Sequence, residues 1–101
     1  MRKAKIFNFG IFAGYLIEKE NKYIFKYVDN YSNQPISLNI PLRKEEYSFE
    51  SFPPFFDGLL PEGNQLEALL RQTKVDRSDL FSQLLTVGKD LVGSITVETD
   101  E

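Results

Sequence analysis

An α+β fold is predicted for this chain: one small domain with a mostly antiparallel, barrel-like sheet and two to three short helices. Aromatic and β-branched residues dominate the alternating runs of the first half, which is typical of strands. After Pro61 the spacing of the leucines changes to that of a helix, and the last residues alternate again. Strands and helices in separate parts of a chain are typical of α+β domains. With 101 residues, the chain has room for one domain, residues 1–101.

Three strands are predicted in the first 28 residues. Residues 3–9 alternate between the two faces of a strand. Residues 11–17 and 22–28 are joined by a short polar turn, which predicts a hairpin. Gly10 and Gly14 bracket the start of the second strand. Glycines in such positions predict a bulge or a tight bend, as in a small barrel.

The middle of the chain predicts a loop and two short strands. Residues 29–35 contain the polar and proline residues that are typical of turns. Ile36, Leu38 and Ile40 alternate with polar residues, so a half-buried strand closed by a proline is predicted there. Residues 47–49 are compatible with another short strand.

The first helix of the second half is predicted to be amphipathic. Leu66, Leu69 and Leu70 are spaced three and four residues apart and define one apolar face. This spacing predicts a helix that ends near Lys74.

A second helix and a returning strand complete the prediction. Asp76 is a good N-cap residue, and Asp79 falls in the first turn, where a carboxylate is favourable. Gly88 is predicted to be the left-handed residue that follows the helix. Residues 92–99 alternate and predict a last strand that pairs with an early one, which would hold the two ends of the domain together.

Composition argues against an enzyme. The chain has no Cys, which removes disulfides and thiolate metal sites, and no His, which removes the usual proton shuttle at neutral pH. The six glycines are scattered, and none forms a phosphate-binding loop. The carboxylate pairs Asp57/Glu62 and Asp76/Asp79 fit turn formation and helix capping better than catalysis. The sequence therefore predicts a protein without catalytic residues, metal or cofactor.

The charge is separated along the chain. Residues 1–26 carry six basic and two acidic groups, whereas residues 90–101 carry four acidic groups and no basic one. The net charge is −3, and a nucleic-acid footprint needs a denser basic cluster, so direct nucleic-acid binding is not expected. No apolar stretch is long enough for a signal or spanning helix. A cytoplasmic protein without membrane contact is the expectation.

An apolar run flanked by prolines stands out at the centre of the chain. Residues 52–56 carry no charge and lead to the Gly-Leu-Leu-Pro segment 58–61, with Asp57 and Glu62 at its sides. In one interpretation all these side chains fill the core. In the other, part of the run stays exposed and forms a partner site with an acidic rim, which we favour. The two adjacent prolines are a weak signal for binding to a domain that recognises proline-rich segments.

Residues 55–63 (Phe-Phe-Asp-Gly-Leu-Leu-Pro-Glu-Gly) and residues 87–93 (Val-Gly-Lys-Asp-Leu-Val-Gly) resemble the N-terminal subdomain of HipA-like kinases. The early segments 35–38 and 41–42 fit as well. These kinases are toxins of bacterial toxin–antitoxin systems and phosphorylate translation factors. The chain ends at Glu101, before any catalytic residue of such a kinase, so the resemblance implies no kinase activity.

The resemblance further implies a partner. In three-component HipBST systems, a small protein of the HipS type is similar to this subdomain and holds a truncated kinase, HipT, in check. The resemblance therefore implies an antitoxin that binds a HipT-like kinase toxin, with a HipB-like helix-turn-helix protein as a further member of a ternary complex. An alternative is a structural subunit that completes the kinase fold and bridges it to the DNA-binding antitoxin without inhibition. A small-ligand domain ranks lowest, because no polar residues converge on a pocket.

The proposed contact with the kinase lies in the first of the two segments. Docking of this segment near the nucleotide lobe of the kinase would block substrate access or hold a kinase loop inactive. The predicted partner-binding residues are Phe55, Phe56, Asp57, Leu59, Leu60, Pro61, Glu62, Gly63 and Asn64.

Overall fold

The computed structural model describes residues 1–100 and confirms the α+β prediction. It contains five strands and three helices, which are β1 (Arg2–Asn8), β2 (Ile11–Lys19), β3 (Lys22–Tyr27), β4 (Tyr47–Phe49), α1 (Pro54–Asp57), α2 (Gly63–Gln72), α3 (Leu80–Val87) and β5 (Ile95–Thr99).

The five strands form one antiparallel sheet in the order β4-β3-β2-β1-β5. The last strand pairs with the first, since Ala4 lies opposite Thr99 and Asn8 opposite Ile95. The predicted connection between the two ends of the domain is therefore confirmed. The register of β1 and β2 shifts between Ile6 and Phe7, opposite Gly14, which is the bulge that the glycines predicted.

The core lies on one face of the sheet. Phe25 is fully buried at its centre, with the ring of Tyr27 4.9 Å away and that of Phe56 from α1 6.0 Å away. From α3, Phe81 and Leu84 are fully buried in the same cluster. Successive side chains of a strand point to opposite faces, so the other face of the sheet carries the residues that alternate with this core.

The strand predicted across Ile36, Leu38 and Ile40 is wrong. Only one isolated bridge joins Ser37 to Ile40, so the segment makes a tight turn. Its ends are held by Tyr27, whose buried hydroxyl accepts a hydrogen bond from the Ile36 N–H (3.0 Å) and donates one to the Ile40 carbonyl. Both isoleucines are buried, whereas Leu38 at the apex is 97% exposed. The side-chain alternation reflects this turn and not a pleated strand.

The second long helix also begins later than predicted. Asp79, not Asp76, is the N-cap residue, and its carboxylate accepts a hydrogen bond from the Ser82 N–H at 3.2 Å. The Asp76 carbonyl is used in a turn before the helix, where the buried side chain of Gln83 donates to it. Correspondingly, the last strand starts at Ile95 and not at residue 92.

Gly88 follows α3 as predicted, but its predicted left-handed conformation is wrong. This residue has a right-handed conformation with φ −55° and ψ −29°. A glycine is required because a Cβ atom would lie 2.2 Å from the carbonyl oxygen of Val97 in β5. The glycine therefore serves close packing of α3 on β5.

Within residues 1–100, none of the helices combines the length and the hydropathy that crossing a bilayer requires.

We expect the Tyr27→Phe substitution to lower the free energy of unfolding by about 2–4 kcal/mol, because it leaves the buried Ile36 N–H and Ile40 carbonyl without a partner. Burial raises the pKa of Tyr27 to about 12, above the value of about 10 for an exposed tyrosine. The protonated hydroxyl thus stabilises the fold fully below pH 10, and this contribution is lost as the pH rises towards 12.

Urea denaturation at pH 7 and between pH 9 and 12 measures both effects. The Tyr15→Phe variant is the control, since its hydroxyl lies on the other face of the sheet. Equal unfolding free energies for the two variants at pH 7 would contradict the assignment.

Candidate protein-docking site

The two segments singled out in the sequence meet in one groove of about 380 Å³, which we call the docking groove. One wall comes from the turn between α1 and α2, and the other comes from the end of α3 and the loop before β5. The groove is lined by Gly58, Leu59, Leu60, Pro61, Gln65, Val87, Asp90, Leu91 and Val92. It is mostly apolar and open to solvent.

The first wall is built on the short helix α1. Pro54 occupies its first turn, where a missing N–H costs nothing, and the chain then turns through hydrogen bonds from the Leu59 N–H to Phe56 and from the Leu60 N–H to Asp57. Phe56 is fully buried and Leu60 is 8% exposed, so both fix the turn to the core. Leu59 and Pro61 are half-buried and face the groove.

Phe55 lies apart from the other predicted site residues. Its half-buried ring lines a separate hollow of about 340 Å³ with Phe49, Pro54 and Ile40 among its neighbours. The ring of Phe56 next to it is 5.1 Å away but points into the core. The apolar run at the centre of the chain is therefore divided among the docking groove, this hollow and the core.

The second wall depends on the position of α3 against the sheet. The Val97 N–H donates to the Gly88 carbonyl at 2.9 Å, and the Asp90 N–H donates to the Val87 carbonyl at 2.8 Å. These bonds fix the turn after α3. Leu91 is half-buried in the groove wall, while Val92 is 94% exposed at its edge.

The other end of α3 is held by Arg2. Its guanidinium binds Glu18 of β2 (Nε–Oε1 2.7 Å) and Asp79 (Nη2–Oδ1 2.9 Å), and it lies 4.9 Å from the centroid of the Phe81 ring. Hydrogen bonding to Arg2 lowers the pKa of the Asp79 carboxyl to about 2. Because α3 is attached to the sheet at both ends, it presents its wall of the groove in a fixed position.

The rim of the groove is acidic. Asp90 lines the groove, and Asp57 and Glu62 are next in sequence to its lining residues Gly58 and Pro61. All three carboxylates are exposed, and none of them takes part in an ion pair among residues 1–100. Such unpaired carboxylates are available to basic groups of a partner.

Helix α2 extends the apolar surface beyond the groove. It contains no buried residue, and its stripe of Leu66, Leu69 and Leu70 is only half-buried. The predicted site residues Gly63 and Asn64 are exposed at its first turn. The sequence missed Leu91 and Val92 as site residues. Gly88 and Gly93 of the segment 87–93 flank this loop and were the signal that the sequence offered, but the fold is needed to show that the loop lies beside the first segment.

The described part of the chain holds no group of three or more His, Cys, Asp or Glu side chains able to bind a metal ion. What the docking groove offers is an apolar surface with negative charge at its edge, and such a surface can bind another protein.

Comparisons with known proteins place these features in a family. A family model described as the HipA N-terminal domain matches residues 4–98. A solved structure, "N-terminal domain of HipA toxin", has a TM-score of 0.82 and 30% identity, and the alignment covers 100% of this chain and 94% of that one.

Two relatives differ in their extent. An uncharacterized protein of Haemophilus influenzae is 29% identical over 101 residues, which cover 100% of this chain and 95% of that protein. The putative kinase Y4mE of Sinorhizobium fredii is 32% identical over 69 residues, which cover 68% of this chain and 16% of the kinase. The matched region is thus nearly all of one relative and a small part of the other.

We expect Gly88→Ala to lower the free energy of unfolding by about 3 kcal/mol, because the added methyl group overlaps backbone atoms of β5 that cannot move independently. Gly58→Ala is the matched control, since Gly58 also has a right-handed φ (−65°) and a Cβ there is 3.5 Å from the nearest atoms. This control should stay within about 1 kcal/mol of the unmodified protein. Thermal and urea unfolding measure both variants, and a tolerated Gly88→Ala would refute the packing argument.

Proposed function

The chain belongs to the HipA N-terminal domain family, and we propose that it is the antitoxin of a three-component toxin–antitoxin system. In this proposal it binds a truncated HipA-like Ser/Thr kinase toxin of the HipT type and inhibits it. The observation that carries the proposal is the docking groove, in which the two segments that resemble HipA-like kinases meet in one apolar surface with an acidic rim.

The extent of the relatives supports a kinase as the partner. The same domain is nearly a whole protein in Haemophilus influenzae and one part of the putative kinase Y4mE. Interfaces between domains of one chain resemble those between separate proteins. A domain that is joined to a kinase in one protein therefore suits binding to a separate kinase in another.

The apolar walls are assigned the main share of the affinity. Leu59, Pro61 and Leu91 provide a partly shielded centre, and Val92 stands at the edge, where a partner side chain can cover it. A few such residues near the centre of an interface usually account for most of the binding free energy.

The acidic rim is assigned to recognition of the nucleotide-binding lobe. Kinases hold ATP phosphates with cationic side chains, so the region around their active site carries positive charge. Asp57, Glu62 and Asp90 around the groove are complementary to such a region and would speed association. Docking at that place blocks substrate access or holds a kinase loop in an inactive position.

The second candidate is a structural subunit that binds the same kinase through the same groove without inhibiting it, and that links it to a HipB-like helix-turn-helix protein. In both candidates the chain has no catalytic role and makes no direct contact with nucleic acid. We place the complex in the cytoplasm, where translation factors are found.

We expect Val92→Asp to weaken binding to a truncated HipA-like kinase of the HipT type by about 10–100-fold, because a carboxylate at the edge of the groove is desolvated against apolar partner atoms. Leu38→Asp is the matched control, since Leu38 is 97% and Val92 94% exposed and neither contributes to the core. Isothermal titration calorimetry measures the affinities, and circular dichroism checks that both variants are folded.

A loss of binding with Leu38→Asp but not with Val92→Asp would overturn the groove as the contact. Phosphorylation of a protein substrate by the kinase, with and without this chain, separates the two candidate functions. Inhibition supports the antitoxin, binding without inhibition supports the structural subunit, and no binding contradicts both.

A further inference from the structure

The face of the sheet that points away from the helices is apolar at its centre. Phe7, Phe12, Tyr15, Ile17 and Ile24 are half-buried there, and none of them packs against the core. The rings of Phe7 and Phe12 are 5.5 Å apart, and those of Phe12 and Tyr15 are 5.2 Å apart. An antiparallel sheet with one solvated face normally shows polar residues on it. This outer face therefore has the composition of a covered surface.

Charges on the outer face follow an ordered pattern across the strands. The register places Lys26 of β3 beside Tyr15 of β2, Tyr15 beside Lys5 of β1, and Lys5 beside Glu98 of β5. This row thus begins with the exposed Lys26 on β3, the neighbour of the edge strand β4, and ends with the exposed Glu98 on the edge strand β5. The neighbouring row contains the pair Phe12 and Phe7.

We propose that the outer face binds a second copy of this chain through a two-fold axis parallel to the strands. Such an axis places β3 of one copy over β5 of the other and keeps the rows in register. Lys26 then faces Glu98 of the second copy, Tyr15 faces Lys5, and Phe12 faces Phe7. Each contact occurs twice, as an isologous interface requires.

The pattern of charges on the outer face favours a second copy of this chain as the binding partner. Lys3 and Lys5 pair with Asp100 of the same copy at 3.5 and 3.7 Å, whereas Lys26 on β3 and Glu98 on β5 take part in no ion pair among residues 1–100. A second copy in this orientation brings Lys26 and Glu98 together, which a purely acidic or purely basic partner does not. The cations are also disposed to pack on aromatic rings, since the Lys3 ammonium lies 4.0 Å from the Tyr15 centroid and that of Lys5 lies 6.0 Å from the Phe12 centroid. Lys19 and Lys22 lie beyond the end of β5 and stay outside the overlap.

The area of the face predicts a weak dimer. Four strands and three rows of outward residues cover roughly 400 Å² on each copy, from the usual spacings of a sheet. The total of about 800 Å² is below the range of stable specific interfaces, so a weak dimer that forms only at high protein concentration is expected.

Charge reversal tests the proposal. Sedimentation velocity from about 20 µM to 1 mM measures whether such a weak dimer forms. Lys26→Glu and Glu98→Lys should each weaken dimerisation about tenfold, because each variant places like charges together at both symmetric contacts. The double variant should return to within about threefold of the unmodified protein. Two strands separate the residues within one copy, so this rescue requires contact between copies.

Two further variants complete the test. Phe12→Glu should abolish dimerisation, and Lys74→Glu, an exposed site after α2, should leave it unchanged. A protein that is monomeric at 1 mM, or a double variant that is not rescued, overturns the proposal. If the protein is monomeric and Phe12→Glu lowers binding to the kinase, the outer face belongs to the kinase instead. Because the Val92→Asp experiment probes the docking groove separately, either proposal can fail without the other.

Discussion

The close approach of α3 to β5 at Gly88 is the contact on which the arrangement of this domain depends. The Gly88 carbonyl accepts a hydrogen bond from the Val97 N–H. A Cβ atom on residue 88 would overlap the Val97 backbone and force α3 away from β5. The strand β5 lies at the edge of the sheet, next to β1. The contact of Gly88 with β5 at the end of α3, together with the ion pair between Arg2 and Asp79 at its start, fixes α3 to the strands. Protein interiors are close-packed, so a shift of α3 would move the second wall of the docking groove with it.

The packing of α1 and α3 on one face of the sheet explains which surfaces remain. The buried aromatic cluster lies on the face of the sheet that carries the core, where Phe56 of α1 and Phe81 of α3 belong to the same cluster as Phe25. Helix α2, in contrast, buries none of its residues completely. The domain is therefore left with two surfaces that are more apolar than a solvated surface requires, namely the docking groove with α2 and the outer face of the sheet.

Local pattern was sufficient for the hairpin, the returning strand and the apolar stripe of α2, because each depends on periodicity within a few residues. The turn around Leu38 could not be predicted in this way, since it depends on the hydroxyl of Tyr27, a partner distant in sequence. Gly88 likewise required knowledge of β5. At the candidate site, Phe55 and Phe56 are neighbours on a four-residue helix and point to different environments, which alternation does not indicate.

In the proposed complex, binding and inhibition are separate physical requirements. A protein that binds the active and inactive states of a kinase equally well shifts no equilibrium, however tight the complex. The acidic rim acts mainly on the rate of association, because exposed charges attract a basic surface over a distance of about 8 Å at physiological salt. The apolar walls act mainly on dissociation, since their contacts form only after water has left the groove. Inhibition therefore requires that Leu59, Leu91 and Val92 contact a part of the kinase that is arranged differently in its two states, or a part that its substrate must occupy.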